Sequence, residues 1–276
     1  MFHLLIAAIL GSVQGLTEFL PVSSTAHLII SEKLLNVDQA TYGLSFDMFT
    51  NIGTIAALLI FFWADLKELF GRLRLPKGKP LSNDEKVPWY ILLATIPVGL
   101  VGFLLEKRIE TQFRSLLVIA ISLAVVGILM ILAENYSKKL TRVTNPTPVQ
   151  VLLISLSQCL AFVPGVSRSG ITISTAIFLK LDRVTAARYS FMLSIPITLI
   201  ATLKKLLDFG KVIHTNGIEA NVLTFYVIGA LFSFVVGYFA LKFLLKFYRN
   251  YSLATFAYYR IGLALVLIIL IGKFGL

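Results

Sequence analysis

The sequence Pro164-Gly165-Val166-Ser167-Arg168-Ser169-Gly170 interrupts an otherwise apolar stretch, with apolar residues at 149–163 before it and 171–181 after it. An arginine facing hydrocarbon at that depth costs at least ~2.5 kcal/mol, so it must line a cavity, meet an anion or reach lipid head groups. A helix running up to Pro164 has to stop there, because proline lacks the amide and clashes with the preceding turn. Gly165 lets the backbone turn, and a serine beyond it can cap a new helix. The amides of that helix's first turn, its dipole and the Arg168 fork together describe an anion site, and phosphate suits it best. Taken alone, the stretch also fits a surface turn with its arginine among lipid head groups.

A second interruption shares the design: Gln14-Gly15-Leu16-Thr17-Glu18-Phe19-Leu20-Pro21-Val22-Ser23-Ser24-Thr25-Ala26-His27. Here too a short apolar helix breaks at a proline and hydroxyl residues follow. Together the two stretches resemble the undecaprenyl pyrophosphate phosphatase family, integral-membrane enzymes also called bacitracin-resistance proteins. Gln14 and Glu18 match the family's glutamate-or-glutamine, three residues, glutamate pattern. Residues 21–27 match its Pro-Val-Ser-Ser-Thr run and histidine, and residues 164–169 its Pro-Gly-x-Ser-Arg-Ser motif.

The resemblance implies hydrolysis of undecaprenyl diphosphate to undecaprenyl phosphate and inorganic phosphate in the bacterial plasma membrane, recycling the carrier lipid for peptidoglycan synthesis. It also implies a divalent cation, Mg²⁺ or Ca²⁺, with Glu18 as first ligand. Gln14 takes the family's neutral option, whose carbonyl oxygen coordinates a hard cation more weakly than a carboxylate does. The implied partner is a polyprenyl diphosphate lipid, and a homodimer stays open.

Composition agrees with a membrane setting. Hydrophobic residues make up 57% and charged residues 14%, against roughly a quarter charged in soluble domains. The net charge of +11 does not point to nucleic acid, since the basic residues sit in loops between apolar runs, where they set orientation among membrane lipids. The single cysteine, Cys159, leaves no intramolecular disulfide and reads as a small core residue. The apolar start, residues 1–10, lacks a signal peptide's basic run and is expected to remain.

Residues 4–16 form a helix of roughly 20 Å, short of the ~30 Å hydrocarbon core. A second short helix at 24–35 can return to the same side, giving a re-entrant hairpin. Spanning runs follow near 46–64, 87–105 and 115–133. After Pro146 and Pro148 the plan repeats, with a broken hairpin at 149–181 and runs near 187–207, 222–245 and 257–274. Gln14 to Pro21 lies over Gln158 to Pro164 with one deletion, and Phe46-Asp-Met-Phe over Tyr189-Ser-Phe-Met. Each half crosses an odd number of times, so the second lies inverted. The expected fold is an all-α integral membrane protein, one domain over 1–276, with about six transmembrane helices and two re-entrant hairpins. Its inverted repeats cover 1–143 and 144–276, and the hairpins meet near the midplane.

That meeting collects a candidate site. Gln14 and Glu18 share a helix face, Ser24 and His27 lie three residues apart, and Ser23 and His27 lie four apart. The expected catalytic set is Glu18, Ser24, His27 and Arg168. Ser24 is the nucleophile with His27 as base, or else Glu18 activates a water. Arg168 neutralises the transferring phosphoryl group, helped by Ser23, Gly165, Ser167, Ser169 and Thr172. Asp47, one helical turn before Asn51, reads equally as a metal or proton group and as an interfacial residue. Glu106, Lys107, Arg108 and Glu110 read as a solvated loop, and His3 and His214 carry no role. An inverted repeat also suits a secondary transporter or lipid flippase, but a carrier needs no nucleophile and base. An acid-phosphatase-like membrane enzyme is excluded, because no histidine follows Arg168 at the required distance.

Placing the 65–86 loop inside puts sixteen basic residues there, with those at 138–142, 180–188 and 242–260, against eight on the opposite face. By the positive-inside rule the first hairpin, with Ser24 and His27, then opens to the external face.

Overall fold

A computed structural model describes residues 2–37, 39–73, 82–113, 115–138 and 141–274. Among the described residues the protein is all-helical. Arg74, Lys77, Lys79, Arg114 and Lys139, on which the loop-charge argument also draws, lie outside them.

In chain order the helices are α1 (Phe2–Phe19), α2 (Ser24–Leu34), α3 (Gln39–Phe61), α4 (Trp63–Gly71), α5 (Asn83–Gln112) and α6 (Leu116–Ser137). They continue with α7 (Pro148–Ser157), extended by a 3₁₀ turn at Gln158–Phe162, then α8 (Arg168–Phe178), α9 (Arg183–Asn216), α10 (Ala220–Asn250) and α11 (Ala254–Phe274). Their starts follow from local chemistry. The side chains of Ser23, Ser115, Thr147, Ser167 and Asp182 each accept an otherwise unpaired first-turn amide. At Thr147 and Gln150 the caps are reciprocal, with Pro148 in the first turn, where its missing amide costs nothing.

Helices α5, α6, α9, α10 and α11 are each long and apolar enough to cross a membrane. A sixth span needs α3 and α4 together, and these bend by 67° at Phe62. The bend falls where the apolar run gives way to Asp65, Lys67 and Glu68. Two boundaries differ from expectation. The charged stretch 106–110 continues α5 to Gln112 and forms no loop, since Glu, Lys and Arg propagate a helix well. Helix α1 runs beyond residue 16 to Phe19, a length of about 27 Å at 1.5 Å per residue.

Helix α1 nevertheless ends part-way along α10. It lies along α10 with backbones touching: a Cβ on Gly11 would sit 2.2 Å from the Gly229 carbonyl oxygen. Small residues permit that approach where apolar side chains gain nothing over lipid. The ring of Phe19 reaches Gly237, thirteen residues before α10 ends at Asn250. On the other hairpin, Phe162 packs on Gly102, ten residues before α5 ends at Gln112. Thus α1 packs on α10 as α7 packs on α5, and the two short-helix tips meet, with Ser169 Oγ donating to the Leu20 carbonyl at 3.2 Å.

One end of the bundle is closed by ion pairs. Arg188 pairs with Asp65, and buried Glu134 takes Arg183, Arg142 at 3.6 Å and the Leu253 amide at 3.3 Å. Asp65, Arg142, Arg183, Arg188 and Leu253 therefore lie at one end of the bundle. Arg260, counted with the loop charges of that end, does not belong to them: it is wholly buried.

Candidate active site

Both tips are built on the same unusual backbone. Ser23 has φ 74° and Ser167 φ 70°, in the left-handed region that residues with a Cβ seldom enter. Each serine then caps the next helix, accepting from the Ala26 amide at 3.4 Å or the Gly170 amide at 3.2 Å. Strain of this kind persists only where surroundings impose it, and it concentrates at functional sites. The consequence is positional: Ser24 and Arg168 are the first residues of their helices, presented by two turns of one shape.

These residues face a cavity of about 310 Å³ lined by both tips and by α3, α5 and α9. Ser24 Oγ donates to Glu18 Oε2 at 2.8 Å, and Gln14 Nε2 donates to the same oxygen at 3.1 Å. The other Glu18 oxygen pairs with Arg168 Nη2, while Arg168 Nη1 donates to Thr198 on α9. Gln14 also reaches Asn51 Oδ1 at 3.3 Å, and Asn51 Nδ2 donates to the Asp47 carbonyl at 2.6 Å. Glu18 is thus the junction of the site. Its side chain is 11% exposed and that of Arg168 26%, so solvent screens their attraction little.

Of the residues expected from the sequence, Gln14, Glu18, Ser23, Ser24, Gly165, Ser167 and Arg168 line the cavity, as do Asp47 and Asn51. His27 does not. Its Nδ1 lies 2.8 Å from the Ser23 carbonyl and its Nε2 2.7 Å from the Tyr259 hydroxyl, with the two rings stacked at 5.7 Å. A carbonyl only accepts, so Nδ1 carries the proton and Nε2 takes the tyrosine's. The expected Ser24–His27 pair is therefore not formed, and the serine's partner is Glu18. Three-residue spacing put them one turn apart, but Ser24 sits at the first helical position and reaches back to α1, while His27 faces α11.

Ser169 and Thr172 also stand behind the wall. Ser169 bonds Ser167 Oγ at 3.2 Å and Leu20, and Thr172 bonds the Arg168 carbonyl at 2.7 Å and Ser190 Oγ at 2.5 Å, so both brace the turn from beneath. A small void of about 10 Å³ is lined by Ser169, Ser190 and Ser194 together with Glu18 and Arg168.

Sequence reasoning missed three partners. Thr198 is one hydroxyl among several on an apolar helix, and its bond to the Ser194 carbonyl at 2.7 Å is what such threonines do anyway. Tyr259 gave no signal. Arg260 gave one, a charge inside an apolar run, which its nearness to a loop disguised. It donates to the carbonyls of Pro21 at 3.1 Å, Gly165 at 2.8 Å and Val166 at 3.0 Å, and to Ser122 and Leu123 on α6 at 3.4 and 3.3 Å.

Residues 7–266 match the family described as "Bacitracin resistance protein BacA". The chain is 42% identical over 267 residues to an "Undecaprenyl-diphosphatase" of Rubrobacter xylanophilus, covering 96% of this chain and 97% of that one. It is 40% identical over 270 residues to a protein of the same name from Thermodesulfovibrio yellowstonii, with 98% of each covered. A third, from Moorella thermoacetica, is 38% identical over 262 residues, with 95% of each covered. With nearly the whole chain matched, this polytopic helical protein belongs to the BacA bacitracin-resistance family.

Proposed function

We propose that the chain is an undecaprenyl-diphosphatase of the bacterial plasma membrane, releasing inorganic phosphate from undecaprenyl diphosphate and returning the monophosphate to peptidoglycan synthesis. The observation that carries this reading is the Ser24–Glu18–Arg168 linkage: a hydroxyl, a carboxylate that accepts its proton and a phosphate-binding fork in one cavity. A carrier would need the fork but not the hydroxyl–carboxylate contact.

In the resting site Arg168 neutralises Glu18. An arriving diphosphate competes for the guanidinium, and Glu18 becomes free to act as base. Ser24 Oγ attacks the terminal phosphorus and passes its proton to Glu18, while the bond to the bridging oxygen breaks and the lipid monophosphate leaves. Glu18 hands that proton to the departing lipid monophosphate; water then attacks the phosphoserine and passes a proton to Glu18, which returns it to the Ser24 oxygen as inorganic phosphate departs. Phosphoryl transfer is loose at its transition state, so charge neutralisation by Arg168, with Thr198 positioning its fork, supplies most of the acceleration. The role first given to His27 moves to Glu18, and His27 holds the turn.

The divalent cation fits the residues present. Gln14 Oε1, beside Glu18, is buried without a hydrogen-bond partner among the described residues, and oxygen donors suit Mg²⁺ or Ca²⁺. The wall carries Glu18, Glu32 and Asp47 against Arg168 and Lys205, so a diphosphate enters a site with more negative than positive groups. A cation held by Gln14 and Glu18 would supply the missing positive charge. The purified chain should release phosphate from a polyprenyl diphosphate, more slowly with a chelator present. No release sinks the proposal, and a rate indifferent to the chelator removes the cation from it.

Two further readings belong to the same proposal. The halves 1–143 and 144–276 form an inverted repeat, supported by the reciprocal packing of α1 on α10 and α7 on α5. The cavity opens outside, where a carrier lipid is released after delivering its sugar cargo. Withdrawing buried Arg260 from the loop charges leaves fifteen against eight, still close to two to one. Thr25 is exposed and lines the cavity. A Thr25→Cys, Cys159→Ser protein in intact cells should therefore be blocked by a membrane-impermeant thiol reagent. Labelling only after the membrane is broken would reverse the orientation.

A further inference from the structure

We propose that Tyr259 and Arg260 on α11 form a clasp that positions the two turns, and with them Ser24 and Arg168, across the cavity; the proposal rests on the phosphatase reading above. Arg260 is 0% exposed, and its hydrogen-bond partners among the described residues are all main-chain carbonyls. Three of them, on Pro21, Gly165 and Val166, lie just before the strained serines of the two turns. The other two, on Ser122 and Leu123, belong to α6, so one guanidinium ties both tips to a single spanning helix.

Alternatives to this bridge are few. A turn residue has no ladder to satisfy its carbonyl, and burying it unpaired is costly. Gly165, at φ +91°, is pressed onto α6 so closely that a Cβ would lie 2.7 Å from the Ile119 carbonyl oxygen. The second turn is thereby seated on α6, and Arg260 reaches from that seat to the first turn. Tyr259 adds a grip on the same hairpin through His27, whose other nitrogen holds the Ser23 carbonyl. The backbone leading into Ser24 is thus held at Pro21 and at Ser23 by two consecutive residues. A filler of this volume would need no donors, and a buried cation without a carboxylate is expensive, so the donors explain the arginine.

Holding the turns matters because misplacing reacting groups by about 1 Å can cost about a hundredfold in rate. Lysine keeps the charge of Arg260 but cannot span carbonyls on both turns and α6. In purified full-length protein, Arg260→Lys should lower kcat per folded molecule by about tenfold to a hundredfold, with KM changed by less than about threefold. The control is Glu134→Gln, which breaks the buried ion-pair hub at the closed end. It should lower the unfolding midpoint at least as far and leave kcat per folded molecule unchanged. Wild-type kcat in Arg260→Lys overturns the clasp, as does a loss matched by Glu134→Gln or one confined to KM. Should Arg260→Lys not fold, Tyr259→Phe takes its place, since that half-exposed ring loses only its hydroxyl. Its kcat should fall severalfold at constant KM, and a wild-type kcat overturns the proposal. Failure of the clasp leaves wild-type phosphate release intact, whereas failure of the phosphatase reading abolishes it.

Discussion

Glu18→Gln and Ser24→Ala should each lower kcat by about a thousandfold, and the double variant should be scarcely worse than either one. General-base catalysis contributes roughly 10² to 10⁴, and groups that act as a unit are not additive. Gln keeps the volume of Glu18 and can still accept from Ser24, so the loss isolates the carboxylate's charge and basicity. It also leaves Arg168 facing an amide in a poorly screened site, which should tighten the resting grip of the fork on phosphate. At saturating divalent cation, KM should therefore stay level or fall in Glu18→Gln while kcat collapses. Ser24→Ala removes the attacking oxygen but leaves the Glu18–Arg168 pair, so its KM should hardly move. Steady-state phosphate release, scaled to the folded fraction, checks all three proteins. If Ser24→Ala keeps a tenth of the activity while Glu18→Gln does not, attack belongs to a water held by Glu18. If both keep a tenth, the linkage is not the reactive centre.

Arg168→Lys should lose about a hundredfold to a thousandfold in kcat, although the charge is retained. One guanidinium nitrogen meets Glu18 and another meets Thr198, so the fork is held flat between α1 and α9 before substrate arrives. An ammonium on a flexible stem can satisfy one of these partners, and it cannot present two parallel donors to a phosphoryl group. Removing a single preorganised donor from a transition state costs about 10² to 10³ in other enzymes, which sets the scale. Because Lys still attracts the anion, KM should rise by less than the fall in kcat. Turnover near that of the wild type, at normal expression, would mean that point charge suffices and the fork is incidental.

How much of this could be read from the chain differs by residue. Pro21, Pro164 and the serines after them announce broken helices, because their chemistry is local: a missing amide, a capping oxygen. Gln14, Glu18 and Arg168 stand out because polar groups in apolar runs need a reason. Side-chain direction was another matter. His27 shares a helix with Ser24, and spacing alone could not say that α11 would take its ring and Glu18 would take the serine. Arg260 looked like a charge reaching back to a loop, as arginines near helix ends do. Only the docking of two tips and α6 around it reveals carbonyls on every side. The bend at Phe62 was equally hidden, since hydropathy records where a run ends and not the angle at which the chain leaves it.

The ion pair at the centre of the cavity joins residues 150 positions apart. At about 5–20 residues per second of synthesis, roughly 8–30 s separate the appearance of Glu18 from that of its cation. During that interval the Glu18 carboxylate has neutral partners, Gln14 and Ser24, and through Gln14 the Asn51 amide, but not its arginine. Arg260, 239 residues after Pro21, emerges later still. Biogenesis therefore has an enforced order: α1 and α2 wait as an unfinished polar wedge, the second tip supplies the counter-charge, and α11 locks the pair. A chain truncated before α11 would leave that wedge open, with the Pro21, Gly165 and Val166 carbonyls lacking their Arg260 donor.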